Sequence, residues 1–269
     1  MDNPLAQVSQ DNHLVNLMLH SATFGQAWFE VGRKIAALYT RLFYDLDIHY
    51  KSALPAGPKI LVANHPSTID PVMLTMVVPE QTSILITERL FKVPLFGRSL
   101  RLTGHIEVLL ENGRPALEEG VRFLQQGRTL GVFPEGEISP AGGGCARHHT
   151  GAARLALRSG APVIPVGIAL ETNRLWRRET TVRDMVDTAA WYLSGAYTVT
   201  IGDPITFQGN VEDRECVHSV TDQIMQQVGI VTADSSRRLH AAQVRSLRKV
   251  NPIEASFLFR IMRFLLNPA

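Results

Sequence analysis

Short β-branched runs alternate with helical stretches along most of this chain, and that alternation limits the fold more than any other feature of the sequence. Lys59 to Ala63, Thr82 to Thr87, His105 to Leu109, Thr129 to Phe133, Pro162 to Ala169 and Tyr197 to Ile201 read as strands. Helical periodicity fills Pro71 to Val78, Pro115 to Gln126, Thr150 to Ser159, Thr180 to Leu193 and Asp213 to Val228. Strands separated by whole helices cannot pair as hairpins, so they pair in parallel and are covered on both sides. The expected class is α/β, with a largely parallel central sheet flanked by helices on both faces.

Amphipathic helices are expected at both ends. Trp28, Val31, Ile35, Leu38 and Leu42 recur at helical spacing, with a break near Gly25, either packed on the core or touching lipid. At the other end, Ile253 to Leu266 is apolar except for a narrow stripe of Ser256, Arg260, Arg263 and Asn267, so it either docks in a groove or lies in a membrane interface. The organisation follows as an N-terminal helical segment (1–45), an α/β domain (46–230) and a basic helical tail (231–269). A chain of 269 residues with 45% hydrophobic and 19% charged residues supports one such core.

The net charge of +2 conceals an asymmetry: from Arg237 onward seven basic residues face one acid, so the tail is about +6 and the body about −4. A basic tail suits anionic lipid or a solvated face. Nucleic acid is not expected as a partner, because the body does not interleave aromatics with Arg and Lys. Cys145 and Cys216 lack metal-ligand spacing and are too few for a disulfide framework, which fits a reducing compartment, and no metal is expected. The first dozen residues carry Asp2 and Asp11 without a basic and apolar leader, so the mature chain is expected to begin near residue 1. No apolar stretch reaches the ~18 residues of a spanning helix.

Two loops carry candidate chemistry. Asn64-His65-Pro66-Ser67-Thr68-Ile69-Asp70-Pro71 follows a buried strand, and Pro66 holds His65 out of helix while favouring a helix start just after it. Asp70 then falls close enough to return its carboxylate onto the imidazole, leaving the other nitrogen to take a proton from a hydroxyl. The alternative is a capping loop with an incidental histidine, in which Ser67 or Thr68 caps the helix. The second loop, Phe133-Pro134-Glu135-Gly136-Glu137-Ile138-Ser139-Pro140, also leaves a strand and runs into Gly142 to Gly144. Ligands of parallel sheets bind at such carboxyl edges, and Glu135 would be a polar anchor there.

From about Tyr39 to Pro204 the chain resembles the glycerolipid acyltransferase family, which includes the bacterial 1-acyl-glycerol-3-phosphate acyltransferases. Asn64 to Pro71 is similar to the family block N-H-x-x-x-x-D. Glu88 to Gly97 with Gly104 to Val108 resembles the second block, Phe133 to Ser139 resembles F-P-E-G-T-R-S, and Val163 to Ile168 resembles the fourth. The resemblance implies that His65 is the general base and Asp70 its orienting partner. It implies direct attack of a lipid hydroxyl on an acyl-CoA or acyl carrier protein thioester, with no acyl-enzyme and no cofactor beyond that co-substrate. Backbone amides of the two loops would serve the oxyanion. Asn64, Glu135, Gly136, Arg147 and His149 are expected to meet the acceptor, and the protein is expected to sit peripherally on the cytoplasmic face of a membrane.

The chain departs from the family at two cations. Leu109 and Leu110 stand where the second block usually has Asp-Arg, and Glu137 and Ile138 where the third has Thr-Arg. Both family arginines are associated with the acceptor phosphate. Either neighbours such as Arg114, Arg147, His148 and His149 substitute, or the acceptor is another lysolipid, a glycolipid or a neutral hydroxyl lipid. A thioester hydrolase and a non-catalytic lipid-binding protein are the remaining alternatives; no G-x-S-x-G elbow supports a serine hydrolase.

Overall fold

A computed structural model describes residues 4–140, 148–182 and 185–249. The chain opens with α1 (Pro4–Phe43) and β1 (Tyr44–Tyr50), followed by β2 (Lys59–Ala63), α2 (Asp70–Leu74) and β3 (Thr82–Thr87). Next come α3 (Glu88–Phe91), α4 (Phe96–Leu102), β4 (Ile106–Val108), α5 (Arg114–Gln125), β5 (Thr129–Val132) and α6 (Gly151–Ser159). The remainder is β6 (Val163–Leu170), a hairpin of β7 (Trp176–Val182) and β8 (Met185–Trp191), β9 (Gly195–Ile201) and α7 (Arg214–Lys249).

Seven strands form one sheet in the order β1-β9-β6-β2-β5-β3-β4. The five from β6 to β4 run parallel, and β9 joins β6 antiparallel with β1 parallel to β9 at the edge. The expected α/β class and largely parallel sheet are therefore present. Alternation along β2 divides the core: Ile60 and Val62 pack with buried side chains of α5, α6 and α7, while Leu61 and Ala63 face Met73, Leu74, Tyr197 and Ile201. Both faces of this strand are buried, which is why it reads as an unbroken apolar run.

Three expectations are corrected. Thr180 to Leu193, expected as a helix, lies largely in the β7–β8 hairpin, in which Trp176 pairs with Trp191. Thr180, Thr181, Val182, Val186 and Thr188 favour the extended chain, and docking of Ala190 onto the loop after β2 adds tertiary support that periodicity does not register. α1 has no break at Gly25: a Cβ there would stand 2.2 Å from the Leu102 carbonyl oxygen, so the glycine serves close approach to α4. α7 runs without interruption across the position where a separate tail was expected to begin. Part of its basicity is tied to the domain, since Arg238 pairs with Asp47 at 2.5 Å and bonds the Val199 carbonyl. The apolar helix expected at Ile253 to Leu266 lies outside the described residues.

The anchor of α7 is a close backbone approach. A Cβ on Gly167 of β6 would lie 2.2 Å from the Thr232 backbone nitrogen, and the Gly167 carbonyl accepts from Ser235 Oγ at 2.8 Å. Gly167→Ala is expected to force α7 off β6 and cost roughly 3 kcal/mol or more, read as a lowered urea midpoint.

Candidate active site

β2 and β5 are neighbours in register, Val62 opposite Val132, so their carboxyl ends release the His65 loop and the Phe133 loop side by side. The His65 carbonyl accepts from the Ser139 amide at 2.8 Å, and the His65 amide donates to Glu135 Oε1 at 3.2 Å. Ser139 Oγ donates to Glu135 Oε2 at 2.6 Å. One carboxylate oxygen of Glu135 thus joins the two loops, and the other closes its own loop on Ser139.

Asp70 is fully buried at the start of α2. Its Oδ2 meets His65 Nδ1 at 2.9 Å and the Ser67 amide at 2.7 Å, and its Oδ1 accepts from the Tyr197 hydroxyl at 2.7 Å. A carboxylate can only accept, so the imidazole proton sits on Nδ1 and the Nε2 lone pair is free. Phe133 stacks on the His65 ring with centroids 4.3 Å apart, fixing the ring plane. Ser67 and Thr68 do not cap α2. Ser67 Oγ donates to the Ala190 carbonyl, and Thr68 Oγ1 accepts from the Ala190 amide, so this loop is clasped by β8. The hairpin's other strand reaches the second loop, where Arg177 donates to the Ser139 carbonyl at 2.9 Å.

Beneath Asp70, Tyr197 packs against Tyr44 and Tyr192. Burial, with the Asp70 carboxylate beside it, pushes the Tyr197 phenol well above its ordinary 10, so it remains a donor. Burial also raises Tyr44 and pushes Tyr192 up to about 12.

His65 faces a cavity of about 720 Å³. Ile84, Ile86, Leu90, Val108 and Leu110 give it an apolar wall, and Arg114, Arg154 and Arg158 are its arginines. Gly136 and His149 lie in the same lining. Gly136 has φ +70°, and a Cβ on it would be 2.8 Å from the His149 ring, so only glycine fits between the turn and that imidazole. Among the described residues no group of His, Cys, Asp and Glu is arranged to hold a metal ion.

Of the residues singled out in the sequence, His65 and Asp70 meet, and Gly136 and His149 join them at the cavity. Asn64 turns away: its amide bonds both the nitrogen and the carbonyl of Ile168, tying β2 to β6. Arg147 lies outside the described residues. The amides of His65, Ser67, Thr68 and Gly136 already donate within the protein, so these four do not form the expected oxyanion pocket. Tyr197, Arg177 and the stacking role of Phe133 were not anticipated. Tyr197 opens a recognisable strand, but its partner lies far away in sequence and nothing local reveals it.

The acyltransferase family model matches residues 45–169, a span that contains both loops and the His65–Asp70 pair. The match covers a little under half of the chain. It is 31% identical over 163 residues to the 1-acyl-sn-glycerol-3-phosphate acyltransferase of Escherichia coli (strain K12), covering 58% of this chain and 62% of that protein. A protein of the same description from Borreliella burgdorferi is 27% identical over 117 residues, covering 42% of this chain and 46% of the relative. The chain therefore spans about three fifths or less of the length of these curated relatives. A crystal structure of the 1-acyl-sn-glycerophosphate (LPA) acyltransferase from Thermotoga maritima aligns with a TM-score of 0.48 at 24% identity, over 75% of this chain and 78% of that one. Tyr192 and Tyr197, like the hairpin, fall beyond the family span.

The tyrosine cluster makes stability depend on alkaline pH. In the unfolded chain the phenols lose protons near 10, whereas the folded chain holds the Tyr192 proton to about 12 and that of Tyr197 well above 10. The folded state binds more protons in that window, so their contribution is complete below pH 10 and is lost as pH rises. Urea unfolding is expected to give a flat stability up to that pH and a falling one beyond it. Tyr197→Phe should flatten the fall while costing about 1–2 kcal/mol at neutral pH through the donor lost from Asp70.

Proposed function

We propose that this protein transfers a fatty acyl group from the thioester of acyl-CoA or acyl carrier protein to the hydroxyl of a membrane lysolipid, with lysophosphatidate the leading acceptor. The observation that carries the reading is the His65–Asp70 pair at 2.9 Å, opening on a cavity with an extended apolar wall. His65 Nε2 takes the acceptor's hydroxyl proton, and the oxygen attacks the thioester carbonyl. The tetrahedral adduct collapses with loss of the thiolate, which recovers the proton from the imidazolium, leaving ester and free thiol. His65 is the catalytic base, and Asp70 holds its tautomer. Tyr197 and Ser67 position Asp70 in turn. The apolar wall receives the acyl chain. The relatives' shared description, 1-acyl-sn-glycerol-3-phosphate acyltransferase, supports lysophosphatidate as acceptor.

A second reading, an acceptor without a phosphate, is favoured by one specific observation. Leu110 lines the cavity at a position where the family usually carries a phosphate-binding arginine, and Ile138 stands at the other. Losing two bidentate donors removes the usual recognition of a phosphomonoester. An acceptor panel of lysophosphatidate, other lysophospholipids, a glycolipid and diacylglycerol, assayed with labelled acyl-CoA, decides between the two. His65→Ala is expected to lower acceptor-dependent CoA release by about a thousandfold or more. Unchanged release in that variant would overturn the mechanism. Thioester cleavage at full rate without acceptor would make the protein a hydrolase, and vesicle binding without turnover on any acceptor would make it a lipid-binding protein.

The acceptor is taken from a lipid surface through α1. Instead of packing on the core, Trp28, Val31, Ile35, Leu38 and Leu42 are all exposed along one face of the helix, Ile35 at 65% and Leu42 at 67%. A continuous apolar stripe of this kind suits burial at a membrane interface, with Lys34 and Arg41 available to headgroups. No described helix is long and apolar enough to cross a membrane. The protein would thus act peripherally, on the cytoplasmic face. Replacing Ile35 and Leu38 together by Asp should weaken co-sedimentation with anionic vesicles by roughly tenfold or more and leave the thermal midpoint nearly unchanged. Undiminished co-sedimentation would remove α1 from the interface.

A further inference from the structure

We propose that Arg154 and Arg158 of α6 bind the phosphate of the acyl donor's pantetheine arm, so that the cavity receives the thioester from the α6 side. The inference rests on the acyl-transfer reading above. A thioester has two arms at its carbonyl, an acyl chain and a carrier, and the cavity is lined by two unlike sets of side chains. The apolar set comes from β3, α3 and the segment after β4, through Ile84, Leu90 and Leu110. The cationic set comes from α6 and the start of α5. With the acyl chain against the first, the carrier arm leaves along the second.

The spacing separates this site from one for the acceptor's phosphate. Gly151 begins α6 beside His149 and Gly136, and Arg154 and Arg158 follow about 4.5 and 10.5 Å further along the helix axis. In a lysophosphatidate only the short glycerol backbone separates hydroxyl from phosphate, whereas the pantetheine arm carries its phosphate at the end of a long chain. Arg154 bonds only neutral oxygens, Thr150 Oγ1 at 3.3 Å and the Val211 carbonyl at 3.2 Å. Arg158 has neither hydrogen bond nor ion pair among the described residues. The remaining charges in this lining are Arg114, which is paired with Glu118, and Glu212. Two arginines one turn apart with no carboxylate satisfying them match a phosphate ester better than any neutral group.

The test compares wild type with Arg158→Glu and with the double variant Arg154→Gln/Arg158→Gln. Palmitoyl-CoA serves as one donor, and palmitoyl-N-acetylcysteamine, which keeps the thioester and has no phosphate, as the other. CoA binding is measured separately by calorimetry without acceptor. Arg158 is exposed and has no partner among the described residues, so its replacement leaves the fold intact even if the double variant does not. KM for palmitoyl-CoA and the Kd for CoA are expected to rise about tenfold or more in the double variant. The kcat/KM on the truncated donor and the KM for lysophosphatidate should stay within about twofold of wild type. Equal losses on both donors, an unchanged Kd for CoA, or a raised KM for the acceptor alone would overturn the proposal, the last by assigning the arginines to the acceptor. A palmitoyl carrier protein arm locates the contact: loss with both carriers points to the arm's own phosphate, and loss with CoA alone to its nucleotide phosphates. Arginine-dependent CoA binding by a wild type that acylates no lipid would leave this site standing and sink the acyl-transfer reading.

Discussion

A carboxylate buried without water must find hydrogen-bond donors inside the protein, and the arrangement around Asp70 follows from that requirement. It has three donors from two places: the His65 imidazole and Ser67 amide of its own loop, and the Tyr197 hydroxyl on β9. Satisfying Asp70 therefore fixes the tautomer of the histidine, the course of the loop and the placement of a strand 127 residues away. Because β9 is inserted between β6 and β1, the demand of one anion reaches across the sheet. The same interaction that satisfies the buried anion orients the His65 ring.

Much of this was legible in the sequence because short-range physics wrote it there. The run at Lys59 to Ala63 is buried throughout and that at Thr82 to Thr87 over its first half, and the expected ends of both match the strands. Pro66 and the spacing of Asp70 marked a loop that would return a carboxylate to a histidine. The failures have a different origin. β1 alternates polar and apolar residues in a segment ending a helical pattern, and it is a strand because β9 offers it a partner. The β7–β8 hairpin is likewise set by what it docks against. Exposure of the α1 stripe was undecidable, since the periodicity of a core helix and of an interfacial one is the same.

At the site, sequence order located the reacting groups better than their partners. His65, Asp70, Gly136 and His149 come together, yet Asn64 and Glu135, conspicuous in the same loops, have their polar atoms committed to backbone and neighbouring loop. Proximity in sequence to the His65–Asp70 pair is thus a poor guide to which polar side chains are left free of bonds within the protein. The cations of the cavity reinforce the point. Those that line it come from α6 and α5, and neither position belongs to a loop motif. The polar residues of the motifs are concentrated in the loops after β2 and β5, while the arginines that line the cavity sit on the surrounding helices.

The clasp of the β7–β8 hairpin on both loops, together with the Tyr197 hydroxyl, bears on how the molecule comes into being. Synthesis proceeds from the N-terminus, and the family span of residues 45–169 leaves the ribosome before the hairpin and β9 exist. Until that later third is made, Asp70 lacks its phenol, and the loop beside it lacks the Ala190 partners of Ser67 and Thr68. A nascent chain therefore presents the exposed apolar stripe of α1 well before the His65 ring is fixed. Under the proposed reading, localisation precedes competence.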